Sequence, residues 1–120
     1  MARIELTAKS LVVHIEGFDR ILALKSQVEV PLSHVMGAQI DPDRANKVWA
    51  GLKTPGTHLP GLLTEGSFWQ AEGWVFFDVH DIKKAISIYL TDEHYRQLVV
   101  EVAEPVSTVA AIQQAIGKIV

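Results

Sequence analysis

The chain has 120 residues, a length at which a single domain buries a substantial core without disulfides or a structural metal. Hydrophobic residues make up 48% and charged residues 21%, which excludes wholesale disorder. The formal net charge is −3 and the basic residues are scattered, so the basic surface that a nucleic-acid-binding protein needs is not expected.

The sequence contains no cysteine, which excludes disulfides, thiol catalysis and thiolate metal sites and fits a reducing compartment. The first residues alternate charged and apolar side chains, unlike a signal peptide. No apolar stretch is long enough to cross a bilayer. We therefore expect a cytoplasmic protein with one domain over residues 1–120.

The first 40 residues alternate apolar and polar side chains with a period of two, which is typical of strands. The pattern predicts strands near 3–7, 11–16, 20–24, 27–32 and 36–40. Pro31 cannot donate a ladder hydrogen bond, so it is expected on an edge or at a strand end.

The middle of the chain changes character. Asp41 is a suitable N-cap and Pro42 suits a first helical position, so a helix of two turns at most is expected over 42–50. Residues 52–61 contain two Pro-Gly pairs, which predict an irregular loop there. A loop of this length in a small domain often carries function.

Strands are expected again over 62–69, 74–79, 85–90 and 95–102, although alternation is weaker in the last of these. The end of the chain then changes period. Apolar residues recur there at helical spacing, at Val109, Ile112, Ile116 and Ile119. The predicted fold is mostly β: a curled antiparallel sheet or barrel of about seven strands, capped by one C-terminal helix.

Five segments carry a family resemblance: 53–61 (KTPGTHLPG), 66–68 (GSF), 74–80 (WVFFDVH), 86–90 (ISIYL) and 93–95 (EHY). Together they resemble bacterial pleckstrin-homology-like (PH-like) domains of uncharacterised role. The resemblance implies a PH-like fold without a cofactor and a non-enzymatic role in interaction or self-assembly. It also implies a protein partner or a homo-oligomer, since some bacterial PH-like domains form rings.

The sequence departs from the lipid-binding PH pattern. Phosphoinositide binders gather basic residues at the first hairpin, whereas that turn offers Lys9 here, with Arg3 nearby and Glu5 opposing it. The tryptophan that such domains carry in the C-terminal helix is also missing. Phosphoinositide or membrane binding is therefore not expected.

The main chemical alternative is a small metal-dependent enzyme or metal-binding protein. Asp78 and His80 lie two residues apart in a predicted strand, and His58 is a candidate third ligand. The competing interpretation is a strand end entering a polar turn. No serine lies in a G-x-S-x-G context and the glycine spacing matches no phosphate-binding loop, so no catalytic residue is predicted.

The aromatic residues are the better functional lead. Trp49 lies beside the predicted loop and Trp69 ends a predicted strand, and each is either core or an interface anchor. Lys53 and His58 flank the same loop and would supply a polar rim. Trp49, Lys53, His58 and Trp69 are thus the predicted binding residues, with no metal ligand among them.

One variant tests this interpretation. Trp49→Ala should weaken association and leave the melting temperature nearly unchanged, because an interface anchor contributes little to the isolated fold. Light scattering and thermal melting measure the two effects. A sharp fall in melting temperature without a change in association would place Trp49 in the core.

Overall fold

A computed structural model gives the structure of the chain and describes residues 2–16, 27–42, 52–59, 63–70 and 73–117. Within 52–59 and 63–70 it describes the backbone and the side chain of Ser67. Of the features predicted above, the strand over 20–24, nearly all of the helix over 42–50, Trp49 and Ile119 lie outside the described residues.

The first sheet is antiparallel and has three strands: β1 (Ala2–Leu6), β2 (Ser10–Ile15) and β3 (Gln27–Pro31). Its order is β1-β2-β3, with Ala2 opposite Ile15 and Ser10 opposite Pro31. All three strands confirm the predicted alternation. Pro31 is the last residue of an edge strand, as its missing N–H predicts.

The second sheet has six strands in the described residues. They are β4 (Val35–Ile40), β5 (Leu52–Leu59), β6 (Leu63–Gln70), β7 (Gly73–Val79), β8 (Ala85–Leu90) and β9 (Tyr95–Glu101). The spatial order is β4-β8-β9-β7-β6-β5. All neighbours are antiparallel except β7 and β9, which are parallel.

The mostly β fold class is confirmed, and so is the C-terminal helix, α1 (Pro105–Gly117). The finer prediction of an antiparallel sheet or barrel of about seven strands is corrected. The described residues form nine strands in two separate sheets that do not close into a barrel, and one pairing is parallel. Alternation has the same period in both pairing directions, so it does not reveal the direction.

The irregular loop predicted over 52–61 is also wrong. Residues 52–59 form β5, which pairs with β6 at the edge of the second sheet. The register shifts between Lys53 and Gly56, and this irregularity spans Pro55. A proline is tolerated at a bulge or in an edge strand, so the Pro-Gly pair interrupts the ladder without ending the strand.

One apolar core joins the two sheets and α1. The first sheet contributes Leu11 and Val13, and the first face of the second sheet contributes Phe76, Ile86 and Leu98, all fully buried. The helix adds the predicted stripe: its Val109 and Ile112 are buried, and Ile116 packs against the cluster. Among the described residues, no helix has the length and hydropathy to cross a membrane.

Helix α1 lies between the two sheets, against β4 and next to β1. The side-chain amide of Gln113 donates a 3.0 Å hydrogen bond to the carbonyl of Ala38 in β4. Since β4 is the edge strand of its sheet, this bond uses a carbonyl that faces away from β8. The helix therefore protects the edge of β4 as well as covering the core.

The second face of the six-stranded sheet is buried too. Its apolar cluster comprises Val75, Phe77, Val79, Ala85 and Val99. Buried polar side chains on β8 and β9 are hydrogen-bonded there: Gln97 donates to Ser87 Oγ (2.9 Å), and Ser87 donates to Asp41 Oδ2 (3.0 Å). Glu101 Oε1 accepts the backbone N–H groups of His80 (2.8 Å) and Asp81 (2.9 Å).

The Glu101 contacts predict a stability effect. Glu101→Ala should lower the free energy of unfolding by about 2–3 kcal/mol, because two partly buried N–H groups lose a charged acceptor. Glu101→Gln should lose less, since the amide oxygen still accepts hydrogen bonds. Urea denaturation measures both. An alanine variant as stable as the wild type would show that Glu101 does not hold this turn.

Candidate functional site

A cleft of about 550 Å³ lies between β1 and the N-terminal half of α1. Ile4 and Leu6 line it from β1, Val102 from the segment before the helix, and Thr108 and Ala111 from the helix. Charged residues, namely Arg3, Glu16 and Glu104, also line it. We call this cleft the β1–α1 groove.

The local sequence explains the groove. In β1, Ile4 and Leu6 are half-buried against the core, while Arg3 before them and Glu5 between them are exposed. The helix approaches β1 with small side chains that line the groove, including Thr108 and Ala111. Small side chains fill little of the space between a helix and a strand, so a gap stays open beside β1.

The backbone of β1 makes this gap a peptide-sized site. The Thr7 N–H donates to the Ser10 carbonyl (2.9 Å) and closes the β1–β2 hairpin. Hydrogen-bonded and non-hydrogen-bonded pairs alternate along an antiparallel ladder, so Ile4–Val13 and Leu6–Leu11 are non-hydrogen-bonded pairs. The N–H and C=O groups of Ile4 and Leu6 therefore point away from β2. No strand of the described residues pairs with that edge.

The charges around the groove are only partly balanced. Arg3 Nε lies 3.9 Å from Glu16 Oε2, and both side chains are more than half exposed, so this pair is weak. Glu104 directly precedes α1, where the helix dipole favours a carboxylate. Within the described ranges Glu104 is exposed and makes no ion pair. Among the described residues that line the groove, one basic and two acidic side chains leave a net negative charge.

A second cluster of polar and aromatic residues surrounds Tyr95. Its hydroxyl shares a 2.6 Å hydrogen bond with Ser67, and its ring meets those of Phe76 and His94 edge-on. His94 also stacks on Trp74, with ring centroids 5.6 Å apart. Burial raises the pKa of the Tyr95 hydroxyl, and the hydrogen bond with Ser67 partly opposes this rise. Because Tyr95 stays protonated, it does not serve as a base for Ser67 near neutral pH.

A third cluster ties two loops together. His34 Nδ1 lies 2.5 Å from Glu93 Oε2, and the Thr91 N–H donates to the His34 carbonyl (2.9 Å). Between these contacts Asp92 has a φ of 59°, in the left-handed region that an aspartate tolerates better than most residues. These contacts fix the turn between β8 and β9 against the 3₁₀ turn that precedes β4.

The structure brings two of the predicted binding residues to the same end of the β5–β6 hairpin. Lys53 pairs with Phe68, and the adjacent Trp69 pairs with Leu52. His58 pairs with Thr64 near the opposite end. At about 3.3 Å per strand residue, His58 lies roughly 16 Å from Lys53 along β5. Trp49, the fourth predicted residue, lies outside the described ranges, so the set stays a prediction.

The structure separates two of the residues in the metal-site alternative. Asp78 is fully buried in β7, whereas His80 follows the end of that strand and is exposed. The argument that they share a strand face therefore fails. The described residues contain no group of three His, Asp or Glu side chains placed to hold a metal. Only the backbone of His58 is described.

Comparisons of the chain with protein-family models, curated proteins and solved structures find no match. Sequence reasoning missed the groove, although one signal was available: small residues recur at helical spacing at Ser107 and Ala111. These small residues indicate a groove only when β1 is known to lie opposite them in the fold.

Tyr95 generates a pH prediction. Its unfolded-state pKa is near the ordinary value of 10.0, and burial raises the folded-state pKa above it. Above pH 10 the unfolded state therefore loses this proton first, and the free energy of unfolding falls as pH rises. Below pH 10, the difference in the free energy of unfolding between the wild type and Tyr95→Phe should be constant. Above pH 10, the wild type should become less stable relative to the variant.

Urea denaturation at a series of pH values from neutral to alkaline measures this difference. Tyr89→Phe is the matched control, since Tyr89 is half-buried in the neighbouring strand β8. A Tyr95→Phe variant that follows the wild type in parallel across the whole alkaline range would contradict the assignment.

Proposed function

We propose that this chain is a non-enzymatic interaction module of the PH-like type that binds an extended segment of another protein in the β1–α1 groove. One observation carries the proposal. Within the described residues no strand pairs with the outer edge of β1, and the backbone N–H and C=O groups of Ile4 and Leu6, which line the open cleft, point away from β2.

Edge strands with free backbone groups bind extended peptides by adding a strand to the sheet. Main-chain hydrogen bonds then supply affinity, while side-chain contacts in the cleft supply specificity. β1 has five residues and is about 17 Å long, which suits a bound segment of similar length. The groove also has a volume in the range of known ligand sites.

The PH-like part of the proposal has separate support. In the described residues the strands precede one α-helix, α1, which follows the last strand and shares a core with both sheets. The sequence motifs quoted above point to the same family. The parallel pairing of β7 with β9 is a departure from a wholly antiparallel arrangement, and it lies at the centre of the second sheet.

The proposed occupant is a segment of a different protein rather than a second copy of this chain. Each copy carries a formal net charge of −3, and the groove itself is negative. Two copies would therefore bring like charges together at this edge, which costs association energy. Self-assembly through the groove is an outcome that solution mass distinguishes.

Two tryptophan variants of α1 test the proposal. Ala110 and Ala111 are adjacent and both exposed, but only Ala111 lines the groove. Ala111→Trp should fill the groove and weaken peptide binding at least tenfold, a loss of about 1.4 kcal/mol. Ala110→Trp should bind like the wild type. Neither change touches the buried core, so both variants should keep the wild-type melting temperature.

The ligands for this test are heptapeptides selected from a random displayed library on the full chain, then titrated by calorimetry. Backbone amide shifts should change along β1 and the first turns of α1. Failure to select any peptide, or equal binding by the two variants, counts against the groove. A dimer that Ala111→Trp dissociates would replace the proposed partner with a second copy.

A further inference from the structure

The geometry of β1 constrains the side chains of a bound segment. A residue that pairs opposite Ile4 or Leu6 places its side chain on the same face of the sheet as they do. That face is apolar, because Ile4 and Leu6 pack against the shared core and Val102 lies beside them in the groove. Every second residue of the bound segment therefore meets an apolar surface.

The intervening residues of the segment lie on the opposite face, beside Arg3 and Glu5. Both of these side chains already have a partner within the chain. Arg3 faces Glu16 at 3.9 Å, and His14 Nε2 lies 2.8 Å from Glu5 Oε1. The residues of the bound segment that lie on this face can therefore be uncharged and polar.

Glu104 is the charge in the groove that stays unmatched within the described part of the chain. Glu104 directly precedes α1 and is exposed to an incoming ligand. A cation on the bound segment is the complementary group.

We infer that the groove selects an extended segment with apolar residues at alternate positions and a lysine or arginine placed beside Glu104. This inference rests on the proposed function and adds the chemistry of the partner. Like-charge and opposite-charge contacts at exposed sites each change affinity by a few-fold. Exchanging the basic residue for an acidic one should therefore weaken binding by about tenfold.

Three capped heptapeptides with a fluorescent label test the inference. The first has the sequence Lys-Thr-Val-Thr-Val-Thr-Lys, which places both lysines on the same side of the strand as the valines, so that either strand direction brings one lysine near Glu104. The second carries glutamate at both ends. The third keeps the composition of the first but groups its valines together. Fluorescence anisotropy measures their affinities for the full chain at low and high salt.

The first peptide should bind about tenfold more tightly than the second at low salt, and this preference should shrink at high salt as the charges are screened. It should also bind more tightly than the third, whose valines cannot all face the apolar side. Equal affinity for the first and third peptides would contradict the alternation.

Variants of the chain assign the charge preference to one residue. Glu104→Gln should reduce the preference for lysine, and Glu104→Lys should reverse it. Glu29→Gln is the matched control, because Glu29 is an exposed glutamate on β3 at the other edge of the first sheet. Melting temperatures of all three variants show whether the fold is retained.

The outcomes separate this inference from the function on which it rests. If lysine and glutamate peptides bind the wild type equally, or if Glu29→Gln removes the preference and Glu104→Gln keeps it, the charge selection is wrong and the binding site stands. If no heptapeptide binds, from these three or from the displayed library, the proposed function fails together with the inference.

Discussion

The apolar core shared by the two sheets and α1 determines the rest of the structure. Leu11 and Val13 of the first sheet cannot leave water unless the second sheet covers them, and Ile112 of the helix completes the same cluster. This requirement places α1 between β1 and β4. Against β4 the helix makes close contact and bonds the Ala38 carbonyl, whereas beside β1 its small side chains leave the groove. In the described part of the chain, the same packing therefore protects the edge of β4 and leaves the edge of β1 open.

The second face of the six-stranded sheet adds a different constraint. In β9, Leu98, Val99 and Val100 are all fully buried, because this strand is covered on both faces. Such strands show continuous apolar runs, which explains why alternation weakens over 95–102. Polar residues on this face, including Gln97 and Glu101, are buried with hydrogen-bonding partners, so their burial costs little.

For elements with one buried side, the periodicity of apolar and polar residues along the sequence is sufficient to predict the element. In β3 the buried residues Val28 and Val30 match the predicted alternation, and the buried side of α1 matches its apolar stripe. Pairing partners and strand directions were not accessible, because they depend on residues far apart in sequence. The same limit applies to the groove: Ile4 and Ala111 form a site only through their apposition across the fold. In β5, the Pro55-Gly56 pair predicts an irregular loop, yet an edge strand tolerates the proline.

The position of β9 in the second sheet has a consequence for biosynthesis. β9 lies between β7 and β8, although it follows both of them along the chain. During synthesis, β7 and β8 therefore leave the ribosome before the strand that separates them. The sheet cannot be completed until residues 95–101 have also emerged. Newly made chains pass through a stage that exposes Phe76 and Ile86, which are buried in the finished fold, and this stage is open to aggregation and to chaperones.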